Sequence, residues 1–219
     1  MLGVSDSPEI ALEMRSREEA RLFSPCAGRN RDVIRDAYLK TMPLAGTVLE
    51  IGAGTGEHAV HIAAAAPGLR WQPSDPDAGS RASIAAWTEH LGPPNVAAPL
   101  AMDVTAPDWE RGIQGSDAAV SINMILIAPF AAAEGLVAGA GRLLKQGGRL
   151  FLYGPFARNG AHTAPSNAEF DRSLKSRDPQ WGVRDLDLEI MLLASAAGMT
   201  LETAIDMPAN NLSVIFSRA

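Results

Sequence analysis

Val48-Leu49-Glu50-Ile51-Gly52-Ala53-Gly54-Thr55-Gly56 is the stretch that decides how the rest of the chain is read. Thr47 to Ile51 is a short run consistent with a buried parallel strand. The glycines after it let the backbone turn tightly and let a ligand approach with no Cβ in the way. His58 to Ala66 then reads as an alanine-rich helix that stops at Pro67-Gly68. A strand, a glycine turn and a helix in that order open an alternating α/β sheet.

Working outward, the same alternation continues. Arg29 to Met42 carries Val33, Ile34, Ala37, Tyr38 and Met42 at helical spacing, and Pro43 ends it. Strands are expected at 69–73, 96–102, 118–122 and 149–153. Helices are expected at 80–91, 131–144 and 185–197, several of them stopped by glycine. Leu201 to Met207 and Leu212 to Ser217 are the last two strands. The link between them, Pro208-Ala209-Asn210-Asn211, is too short for a crossover helix, so they must pair antiparallel. The pattern predicts a Rossmann-like α/β fold: a seven-stranded, mostly parallel sheet with the last strand antiparallel and helices on both faces. With 219 residues, the chain suits one domain over 21–219 preceded by an extension over 1–20. Ser7-Pro8-Glu9 marks a short helix start in that extension. The stretch 156–184 has little apolar periodicity before Phe170 and reads as a cover segment over a site.

Composition narrows the function classes. Hydrophobic residues make up 47% of the chain, enough for a sizeable core. The formal charge of −6 argues against a duplex nucleic-acid binder, which usually shows a basic face. The apolar stretch 118–141 is interrupted by Asn123, Pro129 and Glu134, so it reads as a strand and a helix rather than a membrane span. Met1 to Ile10 lack the basic start and apolar run of a signal peptide, and Cys26 is the sole cysteine. Both lead to the expectation of a cytoplasmic protein without disulfides. His58, His61 and His162 show no metal-binding spacing with carboxylates or Cys26, and His58 is placed as a cap or cofactor-edge residue. Trp71, Trp87 and Trp109 read as packing residues.

Two aspartates give the glycine turn its meaning. Asp75 ends the second strand, 21 residues after Gly54, where a carboxylate can accept hydrogen bonds from ribose hydroxyls. Asp103 ends the third, where a carboxylate can receive an adenine amino group. A dinucleotide fingerprint needs a glycine at the sixth position of the loop, and that position is Glu57, whose charge would repel a pyrophosphate. S-adenosylmethionine carries a sulfonium, an ammonium and no phosphate, so Glu50 and Glu57 are tolerable beside it. It is therefore preferred over a nicotinamide cofactor, with S-adenosylhomocysteine as the product.

The Glu50–Gly56 loop, Asp75, Asp103 and the antiparallel end resemble class I S-adenosylmethionine-dependent methyltransferases. More narrowly, the chain resembles an uncharacterised methyltransferase-like family (domain of unknown function 938) from about residue 22 to the C-terminus. Ser24 to Asn30 (SPCAGRN), Trp71 to Asp75 (WQPSD), the stretch from Asn123 (NMILIAPF), Tyr153 to Phe156 and Ser166-Asn167 carry the likeness. So do Arg177 to Pro179, Trp181 to Asp185 and Met207 to Asn211 (MPANN). The chain departs from that family at Ala27-Gly28, where an alanine and a glutamate are usual. It departs again at Leu126, commonly a histidine, and at Phe130, often a tryptophan. If that histidine handles substrate elsewhere, this member differs in substrate.

The resemblance implies methyl transfer to an unidentified small-molecule acceptor, with a non-catalytic S-adenosylmethionine-binding or interaction module as the alternative. Cofactor contacts are expected from Arg29, Asn30, Glu50, Gly52, Ala53, Gly54, Gly56, Asp75, Pro76, Asp103, Val104, Asn123 and Met124. Arg29 is the expected partner of the cofactor carboxylate. Tyr153, Asn123 and Asp185 are the catalytic candidates. Tyr153, Trp181, Asn210 and Asn211 are the candidates for substrate contact. No metal, membrane or nucleic-acid partner is expected, and the oligomeric state is left open.

Overall fold

The computed structural model describes residues 15–219, so the helix expected at Ser7-Pro8-Glu9 lies outside the described residues. A short hairpin, β1 (Ser16–Glu18) and β2 (Arg21–Phe23), leads into α1 (Pro25–Thr41). Next come β3 (Gly46–Ile51), α2 (Glu57–Ala65), β4 (Leu69–Ser74) and α3 (Ala78–Leu91). They are followed by β5 (Ser116–Ile122), α4 (Phe130–Leu143) and β6 (Leu144–Gly154). The segment expected to cover the site holds β7 (Phe156–Arg158), β8 (Ala161–His162), α5 (Pro165–Arg177) and β9 (Arg184–Asp185). A π-helical turn, Leu186–Ile190, runs into α6 (Met191–Ala196), and β10 (Met199–Met207) and β11 (Asn211–Arg218) end the fold.

The central sheet has six strands in the order β10-β11-β6-β5-β3-β4. It is mixed: β3 pairs parallel with β4 and β5, β5 pairs parallel with β6, and β11 runs antiparallel to both β6 and β10. Alternation along each strand distributes side chains to two cores, as the pleat requires. Leu49, Ile51, Leu150, Leu152, Val214 and Phe216 pack toward α4 and α6. Val48, Val120, Phe151, Tyr153 and Ile215 pack toward α1 and α2. Helices therefore cover both faces.

The seventh strand, expected at 96–102, is not a full member of the sheet. Only two isolated parallel bridges join it to β4, Trp71 with Val96 and Ser74 with Leu100. Between these bridges the register slips by one residue. Pro73 and Pro99 have no N–H to donate, so the ladder cannot continue through them. The Gln72 side chain fills part of the gap, its Nε2 donating to the Ala98 carbonyl at 2.7 Å. The 156–184 region is also more ordered than its composition suggests. It forms a three-stranded sheet, β8-β7-β9, with α5 beside it.

Local signals fix the elements around the glycine turn. Ser24 caps α1, its Oγ accepting from Ala27 N, and Pro25 occupies the first helical position. Asp77 caps α3, accepting from Ser80 N at 2.6 Å. Gly56 precedes α2 with φ +88°, and a Cβ there would lie 2.8 Å from the Ile84 backbone. That position demands glycine both for its left-handed backbone and for the close approach of α3.

Candidate functional site

The carboxyl ends of β3, β4 and β5 open into a cavity of about 470 Å³, the place where open α/β sheets bind ligands. Most of its wall is apolar. Gly52, Ala53 and Gly54 form the floor, Asp75 and Pro76 come from the end of β4, and Met102, Asp103 and Val104 come from the segment beside it. Asn123 and Met124 follow β5, and Ser24, Cys26 and Ala27 come from the start of α1. Ile127, Pro129 and Trp181 complete the side that leads to the cover segment.

Hydrogen bonds hold the polar groups of this wall in place. Asp75 is buried; one carboxylate oxygen accepts from Gly54 N at 2.9 Å and the other from Asp77 N at 2.9 Å. The carboxylate is thus locked to the glycine turn. Burial raises its pKa, and the bonds from Asp77 and Gly54 work against that rise. Asp103 stays exposed at the rim, its Oδ1 accepting from the Thr105 N–H and hydroxyl. Asn123 has φ +58°, a backbone Asn tolerates better than most residues. Its N–H donates to the Tyr153 carbonyl at 2.8 Å. Gly52 has φ +70° and lies against Met124, whose Cγ would be 2.5 Å from an added Cβ.

Of the residues expected to contact cofactor, the cavity gathers Gly52, Ala53, Gly54, Asp75, Pro76, Asp103, Val104, Asn123 and Met124. Arg29, Asn30, Glu50 and Gly56 are not in its wall. Arg29 is exposed on α1. Glu50 is buried behind the strand and accepts from Trp71 Nε1 at 2.7 Å. Desolvation pushes its carboxyl up to about 8, only partly opposed by that bond. Glu57 also turns inward, accepting from Ser24 N at 2.7 Å and from the Thr55 hydroxyl at 2.9 Å, which ties the start of α1 to the glycine turn.

The expected catalytic and substrate residues are mostly elsewhere. Trp181 lines the cavity, as does Asn123, but Tyr153 does not. Tyr153 is 2% exposed and faces the core below α1. Burial pushes its phenol up to about 12, so it stays protonated near neutral pH. Asp185 is a helix cap. Its Oδ1 accepts from Asp187 N and Leu188 N, each at 2.9 Å, and its Oδ2 from Gly160 N at 2.6 Å. Asn210 and Asn211 brace the β10–β11 turn. Asn210 binds α5 through Asn167 Nδ2 and Ser166 Oγ, and Asn211 Nδ2 donates to the Pro208 carbonyl. Leu126, the departure expected to alter substrate handling, is 2% exposed, packs against Gly154 and does not line the cavity.

Two features were not singled out by the sequence reading. One is the clamp made by buried Arg184, whose guanidinium donates to the carbonyls of Ile125, Ala128 and Gln180 at 2.9, 2.6 and 3.0 Å. With Gly182 N donating to the Leu126 carbonyl, it fixes the Trp181 loop onto the segment after β5. The other is the α1 wall, Ser24, Cys26 and Ala27, which the Ser-Pro helix start could have signalled. Among the described residues, no group of three His, Cys, Asp or Glu side chains could hold a metal ion, and no helix is long and apolar enough to cross a membrane.

The six-stranded mixed sheet with one reversed strand, helices on both faces and a cavity over the glycine turn define a class I methyltransferase-like fold. Residues 21–218 match the family described as "Protein of unknown function (DUF938)", and the chain belongs to that family. Solved structures share the fold at low sequence identity. The mitomycin 7-O-methyltransferase MmcR superposes with a TM-score of 0.75 at 18% identity, over 89% of this chain and 54% of that one. An O-methyltransferase family protein from Burkholderia thailandensis gives 0.72 at 16% identity, over 88% and 60%. Human N-acetylserotonin methyltransferase, solved in complex with S-adenosylmethionine, gives 0.72 at 11% identity, over 89% and 53%. The chain thus spans little more than half the length of these proteins.

Proposed function

We propose that this chain is an S-adenosylmethionine-dependent methyltransferase acting on a small-molecule acceptor. The observation that carries the reading is the convergence of the glycine turn, the locked Asp75 carboxylate, Asp103 and Asn123 on one cavity. Those groups suit a nucleoside with a cationic, phosphate-free tail: carboxylates for ribose and adenine, a floor of glycine and alanine, and, among the described residues, Arg15 as the one arginine or lysine in the wall. When bound, the cofactor supplies an electrophilic methyl group. This chain's own residues would contribute orientation and exclusion of water rather than proton transfer, because Tyr153 and Asp185 lie outside the cavity wall. Gly52 and Gly54 would let the cofactor approach the backbone, Asp75 would hold its ribose, and Asp103 would stand at the adenine edge. Trp181, Ile127 and Pro129 would form an apolar seat for the acceptor, with 156–184 as the cover of a single domain spanning 21–219. A cytoplasmic location accords with the lone cysteine. Isothermal titration with S-adenosylhomocysteine tests the reading: saturable one-to-one binding is expected, and no heat with either it or S-adenosylmethionine refutes it.

A further inference from the structure

The cavity has two chemically different ends. Strand order places β5, β3 and β4 side by side, so Gly52 lies between the Asp75 end and the end formed by Asn123 and the start of α1. At the α1 end Asn123 Nδ2 approaches Cys26 Sγ at 3.9 Å. His58, the second residue of α2, borders the cavity there. Its Nδ1 is sealed from solvent with no hydrogen-bond partner among the described residues.

Desolvation, helped by the neighbouring His61 and Arg31, lowers the imidazole to about 4, so the ring is neutral at physiological pH. A neutral imidazole has one N–H and one lone pair. With the proton on Nδ1, a buried donor would be stranded; with the proton on Nε2, the donor sits on the nitrogen still available to a ligand. Orphaned buried N–H groups are rarer in folded proteins than under-satisfied acceptors, which assigns the Nε2–H tautomer. The residue expected to take an anionic group here, Arg29, is exposed and absent from the cavity wall. The 17-residue helix α1 also turns its N-terminus to this end, and such a terminus favours negative charge.

We propose that His58 positions the amino-acid tail of S-adenosylmethionine, donating from Nε2–H to its carboxylate beside the N-terminus of α1. This rests on the cofactor reading above and names a contact within it. A neutral donor suits the task better than a cation, since a charged ring would repel the sulfonium in the same apolar cavity.

The test is titration calorimetry with two ligands, S-adenosylhomocysteine and 5′-methylthioadenosine, which lacks the amino-acid carbons. His58→Leu is expected to weaken S-adenosylhomocysteine roughly tenfold or more while the nucleoside stays within about twofold. His58→Gln, with a donor near the Nε2 position, is expected to restore most of the affinity. His58→Asn, whose donor falls short, is not. The ligand-free melting temperature of His58→Leu should equal or exceed that of the wild type, because the stranded Nδ1 is gone. If His58→Leu does not fold, the Gln and Asn variants decide the matter by the same contrast. Equal weakening of both ligands, undiminished S-adenosylhomocysteine binding in His58→Leu, or equal affinity in the Gln and Asn variants overturns the assignment alone. A wild-type protein that binds neither ligand overturns the cofactor reading together with it.

Discussion

Glu50→Gln should make the protein's stability far less sensitive to alkaline pH. Glu50 sits wholly inside the fold, and its carboxyl is pushed from 4.5 to about 8, with desolvation the main cause. Between those values the folded chain keeps a proton that the unfolded chain has released. Stability therefore falls as pH rises through this window and levels off above about 8. His58 works in the opposite sense at lower pH. Its folded value near 4 lies below the ordinary 6.5, so its contribution rises through about pH 6.5 and gains only about 0.4 kcal/mol above it. The interval from pH 6.5 to 8.5 isolates Glu50. About one and a half pH units of that interval lie below its folded pKa, and at about 1.4 kcal/mol per unit the wild type loses on the order of 2 kcal/mol. The Gln variant has no proton to release, so its stability changes by less than about 0.5 kcal/mol over the interval. Any fixed cost of fitting an amide beside Trp71 Nε1 cancels, because each variant is compared with itself at two pH values. Urea denaturation at pH 6.5 and 8.5 gives both numbers. Equal wild-type stability at the two pH values, or a Gln variant that declines in parallel, refutes the reasoning.

Three further outcomes follow from the geometry. Asp75→Asn, which keeps one acceptor oxygen and so cannot accept from both Gly54 N and Asp77 N, should weaken S-adenosylhomocysteine roughly tenfold or more by calorimetry. Gly56→Ala should cost at least about 2 kcal/mol in urea denaturation, since it combines a left-handed backbone with a contact against Ile84. Arg184→Met leaves three carbonyls without their donor. Limited proteolysis should then cut within 156–184 several-fold faster than in the wild type, and denaturation should show a loss of about 2 kcal/mol or more.

The strand and helix order could be read from the sequence because local signals agreed with the global pattern. Pro43, Gly92 and the Val48–Gly56 turn mark starts and stops that tertiary packing did not need to override, whereas the first helix, expected from Arg29, begins at Pro25 behind the Ser24 cap. The 96–102 segment was misread because its apolar run resembles a strand, whereas prolines on both partners interrupt the ladder. The 156–184 region looked irregular because its order comes from distant partners. Asp171, for example, accepts from Val183 N at 2.8 Å, and Asn167 Nδ2 donates to the Asn210 carbonyl at 2.9 Å. Asp75 and Asp103 were locatable as carboxylates at successive strand ends. Tyr153 also ends a strand, but the pleat directs its side chain to the core under α1, which strand-end position alone does not specify. Asp185 illustrates a second ambiguity: an aspartate before a helix reads equally well as a cap or a base, and only its three N–H donors decide.

The interrupted pairing beside β4 also bears on how the protein behaves in a crowded solution. A sheet's outermost backbone is a template on which another molecule can add a strand. On this flank the outermost stretch, residues 93–100, carries Pro93, Pro94 and Pro99 and touches β4 through only two bridges. A neighbouring chain would find few donors in register there, so edge-to-edge growth and fibril seeding are discouraged on that side. Replacing Pro99 and its β4 counterpart Pro73 with valine would let the ladder run on and give the sheet a continuous, adhesive margin.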